Sequence, residues 1–364
     1  MDYLQPLKHH YRPRKGWVND PNGLVWFQGY YHVFYQHAPE FEIPWKQPMH
    51  WGHARTKDFL TWEELPVALF PDEEYDKGGC WSGTATVKDG TLYLFYASIH
   101  PIEKTQTVSV AYSTDGITFE KYAHNPVIRT YPPDGGRDFR DPAVCCINGI
   151  TYCVMATGNP ETQTARLLLY QSDDLFHWDY RGIMAEWENC KYAECPSFLP
   201  AENGKYLLTA SVCPLDAPHW FSVMYGSFEE GRFTVEQQAE IDKGPDQYAG
   251  QAFRDPEGRN ILISWMPGWR YKGYVPKDVG CMSLPRELRM VEGTITGYPI
   301  QEVRHLLTDT DPALCRTKTG FITRRDGRDP VIYEGEIHDL KILRDGHFIE
   351  VFINGGTEVY SALL

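Results

Sequence analysis

Short apolar runs closed by Gly, Asp, Asn or Pro recur along the chain, and sustained 3.6-residue periodicity is scarce. That pattern predicts an all-β protein. Five runs look alike: Tyr30–Gln36 (YYHVFYQ), Thr91–Ala97 (TLYLFYA), Thr151–Thr157 (TYCVMAT), Lys205–Ser211 (KYLLTAS) and Asn260–Met266 (NILISWM). Their starts lie 61, 60, 54 and 55 positions apart. The first three are followed by another apolar run, a turn with Ser, Thr or Asp, and an aromatic: His53–Trp62, Val110–Phe119 and Leu169–Trp178. Val223–Phe233 is a looser fourth copy. A fixed period of this size, filled with short strands, reads as a β-propeller, and five copies as five blades. A long sandwich would show turns every ~8–12 residues without that self-similarity.

In a propeller the first strand of each blade lines the central channel. The five runs are then second strands, and each inner strand lies just before one. Counting back from the turn glycines Gly29, Gly90, Gly149 and Gly204 reaches Asp20, Ser82, Asp141 and Glu194, at 9, 8, 8 and 10 residues. Similar offsets in equivalent blades predict that these side chains form one ring about the axis. Three carboxylates would then converge where the channel opens. Paired carboxyls suit acetal cleavage, in which one protonates the leaving oxygen and the other meets the oxocarbenium-like carbon. A gap of about 5 Å gives a covalent intermediate and retention, and a wider one gives inversion.

Trp17-Val18-Asn19-Asp20-Pro21-Asn22-Gly23 resembles the signature of glycoside hydrolase family 32, the invertase, levanase, inulinase and sucrose-6-phosphate hydrolase group. Arg140-Asp141-Pro142 resembles its second motif and Glu194-Cys195-Pro196 its third. Similarity continues through Met49–Ala54, Trp81-Ser82-Gly83 and Met282–Leu288 in the same order. The resemblance implies a five-bladed propeller and a retaining, exo-acting β-fructofuranosidase. It implies Asp20 as nucleophile, Glu194 as acid/base, and Asp141 as the residue that binds fructose hydroxyls and steadies the transition state. Asn19, Gln36, Trp45, Ser82 and Arg140 would line the fructose pocket, with Trp51 and Trp81 as sugar platforms. The implied substrates are sucrose, its 6-phosphate or fructo-oligosaccharides, with no metal or other cofactor. A fructosyltransferase shares the three carboxylates. A non-catalytic fructan-binding propeller would have lost at least one.

The propeller is expected over residues 1–300, with a short C-terminal β module, a reduced β-sandwich, over 301–364. Family members usually append a larger sandwich. The module reads as short strands around Asp326-Gly327 and Asp345-Gly346, ending in a hairpin that turns at Asn354-Gly355-Gly356. Its apolar face and sheet edge need cover, from the propeller side or from a second subunit in a homo-oligomer. Phe-Arg-Asp-Pro occurs twice, at 139–142 and 253–256; the second runs directly into a strand, so Asp255 is expected to hold a turn.

Charge and cysteine content narrow the partners. A net charge of −14 argues against nucleic acid. The nine cysteines form no C-x-x-C pair, so neither a disulfide framework nor a zinc site is signalled. With no apolar leader or membrane span in view, a reducing cytoplasm is expected.

Overall fold

The computed structural model describes residues 7–41, 46–266, 279–325 and 329–364. Runs punctuated by turn residues fold into successive antiparallel meanders. The first comprises β1 (Trp17–Phe27), β2 (Tyr30–Ala38), β3 (His50–Thr56) and β4 (Trp62–Leu69). The second comprises β5 (Gly79–Lys88), β6 (Thr91–Ile99), β7 (Gln106–Ser113) and β8 (Glu120–Lys121). The third comprises β9 (Asp138–Ile147), β10 (Ile150–Asn159), β11 (Thr164–Ser172) and β12 (Asp179–Glu188). The fourth comprises β13 (Cys190–Pro200), β14 (Tyr206–Pro214), β15 (Trp220–Glu229) and β16 (Arg232–Glu240). The fifth comprises β17 (Tyr248–Arg254), β18 (Asn260–Met266), β20 (Arg286–Val291) and β21 (Thr294–Pro299), with β19 (Cys281–Met282) paired to β18.

The five look-alike runs are the second strands β2, β6, β10, β14 and β18. Each sheet's first strand packs on the next sheet's first strand, and β17 returns to β1, closing a five-bladed propeller. Second strands such as β14 are buried along almost their whole length, whereas the outer strand β12 alternates. That contrast follows from cover on both faces near the axis and on one at the rim.

Among the described residues no strand is shared between first and last blades, so side-chain packing holds the ring. Phe34 and Trp51 meet Leu94 and Tyr96 between blades 1 and 2. Phe95 and Val110 meet Phe139 and Leu168 between blades 2 and 3. Val154 and Leu167 meet Phe198 and Leu208 between blades 3 and 4. The largest cluster joins blades 4, 5 and 1 and includes Phe221, Trp265 and Trp17.

The repeated turn between third and fourth strands has one mechanism in blades 1 to 3. An Asp Oδ1 accepts from two backbone N–H groups: Asp58 from Leu60 and Thr61, Asp115 from Ile117 and Thr118, Asp174 from Phe176 and His177. Such Asx turns satisfy donors that no strand partner reaches.

The C-terminal strands are β22 (Leu314–Arg316), β23 (Gly320–Thr323), β24 (Val331–Glu334), β25 (Leu340–Asp345), β26 (Phe348–Ile353) and β27 (Glu358–Leu363). They form two three-stranded sheets sharing a core that includes Phe321, Tyr333, Ile349 and Val351. The Asn354–Gly356 turn joins β26 to β27 as expected; Asp326-Gly327 lies outside the described residues. In β26 the alternate residue Phe352 points the other way, into the cluster of blades 4, 5 and 1. The residues between β16 and β17 pair along β27: Lys243 N–H donates to Val359 O at 2.8 Å and Asp246 N–H to Ser361 O at 3.1 Å. Of the two covers expected for the module, the described contacts are with the propeller.

A buried charge cluster fastens this junction. Arg286 donates from Nη1 to Asp242 Oδ2 (2.6 Å), from Nη2 to Ser361 Oγ (2.7 Å), and from Nε (3.1 Å) and Nη2 to Glu350 Oε2. His10 lies 2.8 Å from Glu350 Oε1 and 3.2 Å from Asp345 Oδ2. Burial alone would lower the His10 imidazole, but hydrogen bonds and charge from Asp345 and Glu350 outweigh it and raise it to about 9. Glu350 is brought down to about 2: burial, which would raise it, is outweighed by Arg286 and His10.

A raised histidine contributes stability that is complete below about pH 6.5 and lost as pH rises through about 9. A depressed Glu350 contributes above the usual carboxylate range and loses that contribution as pH falls toward 2. His10→Gln is therefore expected to cost on the order of 3 kcal/mol at pH 6 and clearly less by pH 9.5. Urea unfolding at the two pH values checks this; an equal loss at both would show that the imidazolium charge is not what matters.

Candidate functional site

Every inner strand carries a β-bulge near the same height. Two residues there oppose one on the second strand: Asn19-Asp20, Trp81-Ser82, Asp141-Pro142, Cys195-Pro196 and Ala249-Gly250. Bulges re-aim side chains. In blades 3, 4 and 5 the first bulge residue takes a positive φ: Asp141 58°, Cys195 49° and Ala249 52°. These are left-handed conformations that non-glycine residues rarely adopt and that gather at functional sites.

The register corrects the expected single ring. The structural equivalent of Asp141 in blade 4 is Cys195, and Glu194 is equivalent to Arg140 and Tyr248, one position earlier. Counting from turn glycines misses this because the stretch from bulge to glycine differs between blades, nine residues from Asp20 to Gly29 but seven from Pro142 to Gly149. The three carboxylates still line one narrow cavity at the channel mouth, together with Asn19, Ser82, Arg140, Gln36 and Trp81.

Asp20 is held from both oxygens. Asn19 Nδ2 donates to Oδ1 at 3.0 Å and Ser82 Oγ donates to Oδ2 at 2.5 Å. Asn19 is oriented in turn by the buried Trp17, whose indole N–H donates to its Oδ1 at 2.7 Å. Asp141 Oδ2 accepts from the Cys195 backbone N–H at 2.9 Å. The Cys195 thiol sits 3.6 Å from both Asp20 Oδ2 and Asp141 Oδ2. Glu194 Oε1 accepts from Arg140 Nε at 3.1 Å and Nη2 at 2.9 Å, and Tyr248 Oη donates to Oε2. Arg140 Nη1 also donates to Asp138 at 2.8 Å, and its guanidinium lies 4.8 Å from the centre of the Tyr192 ring.

Asp20 and Asp141 titrate unlike free carboxylates. Burial, then the charge of Glu194, raises Asp20, against hydrogen bonds from Ser82, Asn19 and Cys195. Burial is also the largest cause at Asp141, opposed by Arg140 and reinforced by Glu194 and Asp20; it is raised to about 7. Burial pushes the Cys195 thiol well up, with the surrounding carboxylates adding to it, so the thiol stays protonated as a weak donor and is no nucleophile. Arg140 is driven well above its usual value, because Glu194, Asp141 and Asp138 outweigh the desolvation that would lower it.

Trp51 stands apart from the expected set. It is fully buried, packs on Phe34 and Tyr96, and donates its indole N–H to Trp81 O at 2.9 Å. It props the wall behind Trp81 and does not line the cavity, because β3 is a third strand, removed from the axis. Gln36 lines the wall and donates to Cys80 O at 3.0 Å. Trp45 lies outside the described residues. Asp255 holds the β17–β18 turn, accepting from Arg259 N and Nε at 2.7 Å each.

Met49, Tyr192, His219, Tyr248 and Trp265 also line the cavity and were missed. Tyr248 had a signal: it lies ten residues before Gly258, the same count that separates Glu194 from Gly204. His219 comes from the β14–β15 connection, whose approach to the axis no repeat count reveals. The other mouth of the channel is a cavity of about 520 Å³ with mostly apolar walls, including Leu24, Trp26 and Phe253. The acid cluster lies only at the narrower end.

Residues 10–299 match the glycosyl hydrolases family 32 N-terminal domain. The chain is 35% identical over 317 residues to a sucrose-6-phosphate hydrolase of Escherichia coli, covering 82% of this chain and 65% of that protein. It is 34% identical to a levanase of Bacillus subtilis, covering 81% of this chain and 47% of that one. A GH32 β-fructofuranosidase of Bombyx mori superposes with a TM-score of 0.83 at 26% identity, covering 99% of this chain and 89% of that one. The chain thus spans about two thirds of the Escherichia coli relative and about half of the Bacillus subtilis one. With inner strands, acids and motif order all in agreement with that match, the chain belongs to glycosyl hydrolase family 32.

Proposed function

We propose that the protein is a retaining, exo-acting β-fructofuranosidase that releases terminal β-D-fructosyl units from sucrose, sucrose 6-phosphate or fructo-oligosaccharides. The observation that carries this reading is the placement of Asp20 and Glu194 on one narrow cavity in unlike hydrogen-bond settings. Asp20 is held by a hydroxyl and an amide, as suits a nucleophile that must be aimed. Glu194 is held by Arg140 and Tyr248, as suits a carboxyl that changes protonation twice per turnover.

Asp20 attacks the anomeric carbon of fructose and forms the C–O bond of a fructosyl ester. The glycosidic bond breaks with its electron pair going to the leaving oxygen, which takes the proton of Glu194. Water then attacks the same carbon, gives its proton to Glu194, and frees Asp20. Asp141, fixed by the Cys195 N–H, is positioned to accept fructose hydroxyls in both steps. Trp81 and Trp265 supply apolar wall. The names of the similar proteins, sucrose-6-phosphate hydrolase, levanase and β-fructofuranosidase, support the substrate class. The nine thiols, none of them in a disulfide, suit a reducing compartment, and a cytoplasmic location is part of this proposal.

Sucrose, sucrose 6-phosphate, 1-kestose, inulin and levan offered in parallel test the reading. Free fructose is expected from at least the short fructosides, with the β-anomer formed first by NMR. No release from any of them, or α-fructose appearing first, would overturn it.

A further inference from the structure

The two oxygens of Glu194 are not alike. Oε1 accepts two N–H groups from Arg140, a guanidinium with donors only, so a proton on that oxygen would face N–H hydrogens. Arg140 is locked in that pose by Asp138, by Gln106 Oε1 at 3.3 Å, and by the Tyr192 ring. Among the described residues, Oε2 meets only a hydroxyl, that of Tyr248. A phenol can donate to a carboxylate and accept from a carboxylic acid by rotating its O–H. Tyr248 is buried, and burial together with the Glu194 charge holds its phenol well above its usual range, so it remains neutral while Glu194 cycles.

We propose that Tyr248 is a positioning residue that makes Oε2 the proton-bearing oxygen of Glu194, donating to it as carboxylate and accepting from it as acid. This rests on the fructosidase reading above. The proton that reaches the leaving oxygen comes from Oε2, and the proton taken from water in the second step returns there. Tyr248 itself gains and loses no net proton. Its ring is kept in place by His219, at 5.0 Å between centroids, independently of the hydroxyl. Among its described residues blade 5 thus supplies no carboxylate to the cavity, and it contributes through the position equivalent to Glu194.

The test compares substrates that do and do not need the proton. Tyr248→Phe removes only the hydroxyl. On sucrose, whose leaving alkoxide must be protonated, kcat is expected to fall about 10- to 100-fold with KM nearly unchanged, and the alkaline limb of the kcat/KM profile to move. On p-nitrophenyl β-D-fructofuranoside, whose leaving group departs as an anion, the single-turnover rate of fructosylation should change less than about threefold. Glu194→Ala sets the scale, with a larger loss on sucrose and the same tolerance on the aryl fructoside.

Equal losses on both substrates, or no loss on sucrose, would overturn the proposal and leave Tyr248 as wall. Tyr248→His, which retains a donor and an acceptor, should regain part of the sucrose rate. Tyr248→Met, which also lacks the hydroxyl, takes the place of Tyr248→Phe if that variant does not fold by circular dichroism. A Glu194→Ala variant equally slow on both substrates, or wild-type protein inert on both, would instead remove the acid/base reading on which this depends.

Discussion

Asp20→Asn is expected to lower kcat on sucrose by on the order of 10⁴-fold, about 5 kcal/mol of transition-state stabilisation, with the fold intact. Asparagine has nearly the shape of aspartate. Its amide oxygen can still accept from Ser82, while its NH2 then faces the Asn19 Nδ2 donor, a local side-chain mismatch that leaves the backbone pairing of the bulge in place. What disappears is the negative oxygen that closes a bond to the anomeric carbon. An amide oxygen is a far poorer nucleophile, and neither Asp141 nor Glu194 can replace it. Asp141 is tied to the Cys195 N–H and Glu194 to Arg140 and Tyr248, so moving either would cost those hydrogen bonds. Single-turnover kinetics, with thermal melting as the fold control, check the expectation. Turnover within tenfold of wild type would show that Asp20 is not the nucleophile. The electrostatics add a second reading: removing one of three crowded acids relieves Asp141, raised partly by Asp20, so Asp141 should titrate lower in the variant.

Arg286→Leu is expected to cost about 3–5 kcal/mol of stability. Arg286 is wholly buried between Asp242 and Glu350, and it also donates to Ser361. Leucine roughly fills the space against Phe352, whose ring centre lies 5.2 Å from the guanidinium. It leaves two carboxylates out of water, Glu350 with His10 and the Leu284 N–H, and Asp242 with the Ser361 hydroxyl and backbone N–H groups. Breaking one partner of a buried ion network costs more than the network contributes, because the survivors keep their desolvation penalty. The five elements the cluster ties are the segment at His10, the blade 4–5 connection at Asp242, and strands β20, β26 and β27. The loss should therefore also loosen the C-terminal sheets, seen as faster amide exchange in β26 and β27 at pH 7. A loss below about 1 kcal/mol in urea unfolding would mean that water or a neighbouring side chain replaces the guanidinium. Activity at 20 °C should change little where the variant is folded, since Arg286 lines no part of the catalytic cavity.

Much of this molecule is legible in the sequence because its signals are local. A strand's burial on both faces appears as a continuous apolar run, and a turn as Gly, Asn or Asp. Their recurrence about every 57 residues therefore specifies blades and their inner strands without reference to any contact. Asp20, Asp141 and Glu194 were reachable in the same way, because each precedes its turn by a nearly constant count.

The tertiary structure alone decided what depends on a partner strand or a neighbouring blade. Whether Glu194 aligns with Asp141 or with Arg140 is set by where the bulge falls against β14, which is a matter of pairing. Trp51 and Trp81 look alike along the chain, yet one is a buried prop and the other a cavity wall, because they sit on a third strand and an inner strand. Arg286, within a recognisable motif, turns out to secure a sheet that follows it by more than fifty residues, as buried charge must pair wherever the fold brings a counter-charge. The local pattern determined the blades and their acids; closing the ring determined which atoms meet.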